Sequence, residues 1–226
     1  MVPNFMLGVA SSVAASVLVV VAASAWSGRA RALLASLACK LAGGSYAMRW
    51  SDRRSSESEF QRAIHRAKWL AYLGSRGNEF QRDAFRDLLA DRPRSSSVEV
   101  RILLPDASDP RGRRWCDLRA EELAFDPSFR GTTLATQIAT TLKVLEGYVE
   151  QELLEVRLHT EPHFARVVLT DEVLFLSPYS KGRHGRDDPV SRFTSDSVTY
   201  TAMVRYFDQI WRESRPLELS PGRASD

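Results

Sequence analysis

The pattern of apolar and polar positions divides the chain near residue 27. Residues 5–26 (FMLGVASSVAASVLVVVAASAW) carry no charge, and at about 1.5 Å rise per residue a helix of that length crosses the roughly 30 Å hydrocarbon core of a bilayer. The run predicts a transmembrane anchor over 1–27. Ala23-Ser24-Ala25 has the small-residue form of a signal-cleavage site, but the residues before the run lack the Lys or Arg of a secretory leader. Arg29 and Arg31 are the first charges, so the positive-inside tendency predicts a single-pass protein with its N-terminus outside and its domain in the cytoplasm. Gly8, Ser12 and Ser16 recur four apart on one face of this helix, a spacing that favours close contact between two copies in the bilayer.

Beyond the anchor the period alternates between helical and extended. Leu33, Leu34, Leu37 and Leu41, with Arg29, Arg31 and Lys40, predict an amphipathic juxtamembrane helix that gives way to a polar linker, together covering 28–56. A helix over 57–66 follows, with Ser55 or Ser56 as its cap. The apolar run WLAYL is a buried strand ending in the glycines Gly74 and Gly77, and Phe80, Ala84, Phe85, Leu88 and Leu89 predict a helix over 79–90. VEVRILLP is the next strand, and strand, helix, strand implies a parallel pair. A helix over 115–123 is expected to turn Trp115 and Leu118 inward. A longer one over 132–152 presents Leu134, Ile138, Leu142, Leu145 and Val149. LEVRLHT, FARVVLT and EVLFLSP read as strands, the last two joined at Thr170-Asp171. After a Gly- and Arg-rich loop, a helix over 198–213 buries Met203, Phe207, Ile210 and Trp211, and a disordered tail is expected over 215–226. The fold class is therefore α/β, one mixed sheet flanked by helices over 57–214, preceded by one transmembrane helix.

Composition narrows the function. A net charge of +3 is too small for a general nucleic-acid binder. Cys39 and Cys116 stand far apart without metal-ligand spacing, so neither a zinc site nor a disulfide framework is expected, and nothing implies a cofactor. Neutral-pH proton carriers are limited to His65, His159, His163 and His184.

The segment EVRLHTEPHFARVVLTDEVLFLSPYSKGRHGR resembles one half of the phospholipase D superfamily, with the likeness extending over 68–211 and VRILLP as the second strand. The family's His-x-Lys-x4-Asp motif supplies a nucleophilic His, a phosphate-binding Lys and a supporting Asp. Arg166 and Asp171 keep the Lys-to-Asp spacing, which puts Phe164 at the nucleophile's place, and Ser177-Pro178-Tyr179-Ser180 stands for the later Gly-Ser-x-Asn element. The resemblance implies a phospholipase D-like sheet whose catalytic His is lost. His163 is one residue away, and strand alternation would set it with Ala165 on the face opposite Phe164 and Arg166. The family needs two motif copies where this chain has one, so catalysis would require a homodimer, formed through the anchor or the domain, with His163, Arg166 and Asp171 as the active set.

The expected function is a membrane-anchored sensor or effector that binds a phosphate-bearing small molecule, a nucleotide or phosphorylated headgroup, without hydrolysing it. Bacterial signalling or phage defence is the setting by analogy. Its candidate ligand-binding residues are Ser75, Arg76, Arg166, Asp171, Tyr179, Lys181, Arg183, His184 and Arg186, gathered at the carboxyl ends of strands where open α/β sheets take ligands. The alternatives are a dimeric phosphodiesterase, phospholipase or nuclease, and a membrane-bound protein scaffold.

Overall fold

The computed structural model describes residues 47–81, 85, 98–125 and 134–219. The expected anchor, the juxtamembrane helix and most of the helix over 79–90 lie outside the described residues. Among the described residues no helix is long and apolar enough to cross a membrane. The chain divides into two compact units, Met1–Met48 and Arg49–Asp226, and the described residues belong almost wholly to the second.

Eight strands form one sheet: β1 (Ala47–Trp50), β2 (Trp69–Leu73), β3 (Glu99–Pro105), β4 (Glu155–His159), β5 (Ala165–Thr170), β6 (Val173–Pro178), β7 (Val190–Thr194) and β8 (Arg215–Pro216), in the order β1-β7-β6-β5-β2-β3-β4-β8. Strands β2, β3 and β4 are parallel, while β5 runs antiparallel to β2, β6 to β5, β7 to β6 and β8 to β4. Four α-helices are described: α1 (Arg53–Arg66), α2 (Pro110–Glu122), α3 (Leu134–Glu150) and α4 (Val198–Glu213).

Alternation along the strands builds two cores. Leu70, Tyr72, Ile102, Leu104, Val156, Leu158, Val168 and Phe175 face Phe60 and Ile64 of α1 and Leu145 of α3. Ala71, Leu73, Leu103, Val167, Leu169 and Leu174 face Tyr200, Phe207, Ile210 and Trp211 of α4. The central strands are covered on both sides, which is why they read as unbroken apolar runs. Each such aliphatic or aromatic side chain contributes about 1.5–3 kcal/mol by leaving water.

Several boundaries differ from expectation for identifiable reasons. Helix α1 starts at Arg53 because Asp52, and neither Ser55 nor Ser56, is the cap: its Oδ1 accepts from the Ser55 N–H at 2.9 Å, and a carboxylate also complements the positive end of the helix. Helix α2 starts at Pro110 behind the Asp109 cap, and its buried stripe is Gly112, Cys116 and Arg119. Leu118, expected inside, is therefore 55% exposed. In α3 the buried stripe is Leu134, Ile138, Thr141 and Leu145, with Leu142 and Val149 only partly covered. Strand β7 lies inside the stretch read as loop, where only Val190 is buried and the apolar pattern is too thin to signal it.

The expected tail does not begin at Arg215. Strand β8 pairs Arg215 with Leu158 and Pro216 with Arg157, and Arg215 donates from Nε at 2.5 Å and Nη2 at 3.1 Å to the buried carboxylate of Asp106 at the end of β3. The side chains of Arg215 and Ser108, with the Ser108 N–H, overcome the burial that would raise Asp106 and hold its pKa at about 2. Since the folded pKa lies below the ordinary 3.8, this clasp stabilises fully above that value and is lost as pH falls toward about 2. Arg215→Ala is expected to cost about 2 kcal/mol in urea unfolding at neutral pH, with the deficit shrinking through this acid window. An unchanged midpoint would remove the clasp from the account.

Candidate functional site

The strand directions bring the carboxyl ends of β2, β3, β4 and β6 and the amino ends of β5 and β7 to one edge of the sheet. The turn leaving β2 is shaped by two glycines. A Cβ on Gly74 would lie 2.2 Å from the Tyr72 hydroxyl, so the missing side chain makes room for the tyrosine ring. Gly77 has φ +67°, a conformation that favours glycine, and opens the 3-10 turn Asn78–Gln81 that carries Glu79.

Glu79 is the centre of the edge. Arg166 donates from Nη1 to Glu79 Oε1 at 2.7 Å, Arg53 donates from Nη1 to the same oxygen at 3.3 Å, and the Tyr72 hydroxyl donates to Oε2. Burial would raise the Glu79 pKa, but Arg166 and Arg53, with the Tyr72 hydrogen bond, bring it down to about 2. The same burial, with the Glu79 charge beside it, pushes the Tyr72 phenol well above 10. Arg166 also donates from Nη2 to Ser177 Oγ at 3.4 Å, and Ser177 Oγ donates to the Pro189 carbonyl at 3.0 Å, tying β5, β6 and the entry to β7 together.

Around this cluster of four lies a second layer of polar groups. Tyr179 bonds with its hydroxyl to His163 Nε2 at 3.2 Å and interacts with the Ser75 side chain. Burial pushes its pKa up to about 12. His163 stacks on Trp115 with ring centroids 4.2 Å apart and meets His159 edge-on at 5.0 Å. Burial, followed by the neighbouring His159 and Arg119, holds His163 well below the ordinary imidazole range, and burial lowers His159 to about 4. Both rings are neutral at neutral pH. The Arg119 guanidinium lies over the Tyr179 ring at 4.5 Å and pairs with Glu122, while Arg76 donates from Nη1 to Gln137 Oε1 at 3.1 Å. Burial raises the Asp188 carboxyl, opposed by Ser180, Arg119 and Arg166.

Buried polar atoms are almost always hydrogen-bonded. Here His159 Nε2, His163 Nδ1 and Arg119 Nε have no partner among the described residues, whereas the Asp188 carboxylate interacts with the Ser180 side chain and N–H. No group of three or more His, Cys, Asp or Glu side chains suited to a metal ion occurs among the described residues.

The residues singled out in the sequence divide into three places. Arg166, Ser75, Arg76 and Tyr179 come together around Glu79. Asp171 stands at the opposite end of β5, where its Oδ1 accepts from the Lys68 N–H at 2.8 Å. Arg183 and His184 line a separate open cleft of about 620 Å³ against Asp52, Arg54 and Asp187 at the start of α1, a cleft that Arg166 does not line. Lys181 and Arg186 are exposed on the same loop, and Arg186 Nε lies 3.8 Å from Asp187 Oδ2.

The alternation expected of His163 does not hold, because β5 begins at Ala165 and residues 161–164 precede the regular strand. His163 is turned inward to Tyr179 and Trp115, while Phe164 is 57% exposed, its ring 6.5 Å from that of Tyr206 on α4. Sequence reasoning missed Glu79, Tyr72 and Arg119 as site residues. Arg119 had a signal, the helical spacing from Gly112 through Cys116 that marks a buried stripe. Glu79 had only its nearness to Gly77.

No protein-family model matches the sequence, and no curated protein matches it. Among solved structures, the fold is similar to TrmBL2, an archaeal chromatin protein, at 12% identity over 95% of this chain and 67% of that one, with a TM-score of 0.46. It is similar to Nuc, a phospholipase D family member from Salmonella typhimurium, at 11% identity over 77% of this chain and 99% of that one, with a TM-score of 0.45. NucT from Helicobacter pylori gives 12% identity, coverage of 76% and 99%, and a TM-score of 0.45.

Removing the Glu79 carboxylate takes the charge partner from the buried Arg166 guanidinium, while Arg53 keeps Glu57 at 3.8 Å. Glu79→Ala is therefore expected to lose about 3–5 kcal/mol in chemical denaturation, and distinctly less in an Arg166→Ala background. Additive losses would mean that the two side chains act independently.

Proposed function

We propose that the domain binds a phosphate-bearing small molecule, a nucleotide or a phosphorylated headgroup, at the carboxyl edge of its sheet and acts as a sensor without hydrolysing it. The observation that carries this reading is the gathering of four guanidinium groups, from Arg53, Arg76, Arg119 and Arg166, in largely buried surroundings, with Glu57, Glu79, Glu122 and Asp188 as the carboxylates among them. The buried Arg119 guanidinium, with Nε still open, favours an anion in such a water-poor edge. Guanidinium is suited to phosphate because its planar fork offers paired donors.

Non-hydrolytic binding is supported by the fate of the motif positions. Phe164 offers no nucleophile and faces outward, and His163 has its Nε2 engaged by the Tyr179 hydroxyl with its ring packed on Trp115. A second reading, phosphodiester cleavage, is favoured by one observation: His163 is neutral and lies inside the cluster with Nδ1 unpartnered. Attack by such an imidazole would require a second copy of the chain if the phospholipase D resemblance extends to mechanism.

The uncharged run at 5–26 is the proposed tether, holding the domain at the cytoplasmic face of a bilayer. Domain pairing is the proposed route by which binding reaches it.

In a thermal-stability screen of the full chain against nucleotides and glycerol phosphates, a ligand at about 100 times its dissociation constant should add about 2.7 kcal/mol. Arg76→Ala and Arg119→Ala should each abolish that gain, and retention of the full gain in both variants would place the site elsewhere. Turnover of a generic phosphodiester that disappears in His163→Ala would replace the sensor with the second reading.

A further inference from the structure

On the sheet face beneath α4, Ala71 stands in register between Arg101 of β3 and Leu169 of β5. Alternation puts Trp69 and Leu73 on the same face, one to either side along β2. The short side chain between these longer ones leaves a cavity of about 220 Å³ between the sheet and α4, at the amino ends of β2 and β3. That end of β2 is opposite the turn that carries Glu79. The volume is below the roughly 300–1,000 Å³ of pockets for drug-sized ligands, so the occupant is a small molecule.

Its lining defines the chemistry. Ala71, Leu169 and Phe207 form an apolar wall and are each at most 3% exposed. Three charged side chains complete it: Glu99, Arg101 and Asp208. Arg101 Nη2 lies 2.5 Å from Glu99 Oε1, so these two charges offset each other. The Asp208 carboxylate makes no ion pair or hydrogen bond among the described residues. Arg212, one turn further along α4, spends Nε on the Asp208 backbone carbonyl at 3.1 Å. One uncompensated negative charge beside an apolar wall is complementary to an ammonium group on an apolar body, since the pair is stronger there than in open water. Trp69 also lines the cavity and presents an aromatic surface of the kind that attracts cations.

We propose that this cavity is a binding site for a small amine with an apolar body, its ammonium paired with Asp208 and its body packed against Ala71, Leu169 and Phe207. The site is separate from the Glu79 edge and does not depend on phosphate binding there. Arg101 Nε has no partner, so a carboxylate probe tests the opposite polarity.

Titration of the full chain with 2-phenylethylamine, 2-phenylethanol and 3-phenylpropanoate, followed by saturation-transfer NMR, provides the test. The three probes share the aromatic body and differ in charge. The amine is expected to bind about tenfold or more tighter than the alcohol, and Asp208→Asn should bring the two to within about twofold. Ala71→Leu fills the cavity and should weaken the amine at least about tenfold. Equal affinity for amine and alcohol in the unmodified chain, or tighter binding of the carboxylate, overturns the amine site. A preference for the amine that survives Asp208→Asn overturns the role of Asp208, and undiminished binding in Ala71→Leu places the probe elsewhere. Binding of no probe at millimolar concentration overturns the site altogether. Should Ala71→Leu fail to fold, Val204→Phe fills the same cavity from the half-buried side of α4.

Discussion

The Glu79 carboxylate, held between Arg166 and Arg53 and capped by the Tyr72 hydroxyl, is the contact on which the functional edge depends. Its three partners come from β5, α1 and β2, elements far apart in sequence. Burying any one of these ions alone would be strongly unfavourable, and only their mutual pairing makes the arrangement tolerable. The cluster therefore fixes where the turn after β2 sits relative to the start of β5. That placement in turn brings Ser75, Arg76 and Tyr179 within reach of one another. A binding edge built this way is rigid, because its charges have no solvated alternative once the sheet has formed.

The same pairing constrains what Arg166 does. Two of its nitrogens already serve Glu79 and Ser177, so what it adds to the edge is mainly its charge, whereas the open hydrogen-bonding positions belong to Arg119, His159 and His163. Pairing and openness are thus divided between two layers. The inner layer sets geometry, and the outer layer retains unspent donors and acceptors. Such a division is what a binding site needs, since a group that is satisfied internally gains little from a ligand.

The sheet was legible because its strands carry period-2 or continuous apolar signals strong enough to survive without tertiary information. WLAYL, VRILLP, VRLH, ARVVLT and VLFLSP all fall in strands β2 to β6. Strands β7 and β8 were not legible. Their placement depends on partners supplied elsewhere, Leu174 and Phe175 for β7 and the Arg215–Asp106 clasp for β8. The site was legible in part for the same reason. Arg166 and Tyr179 stand near motif positions on strong strands, while Glu79 lies on a short 3-10 turn whose importance exists only after β5 has folded against β2. Asp171 was expected in the ligand set from its spacing to Arg166, but five residues of extended strand separate the two, about 17 Å at roughly 3.3 Å per residue.

His163 shows why spacing alone misassigns chemistry. Counting from Arg166 puts Phe164 in the site, and strict alternation sends His163 to the far face, but both arguments assume regular strand through residue 163. The chain is irregular until Ala165, with the Tyr179 N–H bonded to the Phe164 carbonyl at 2.9 Å while the Phe164 ring turns outward. That local turn exchanges the two side chains. An imidazole takes the interior place against Trp115 and Tyr179, and the phenyl ring goes to the surface near Tyr206. The exchange puts a nitrogen-bearing ring in the cluster at the cost of exposing an aromatic one. Burial then keeps that ring neutral, which adds hydrogen-bonding capacity at the edge without adding to the repulsion among its arginines.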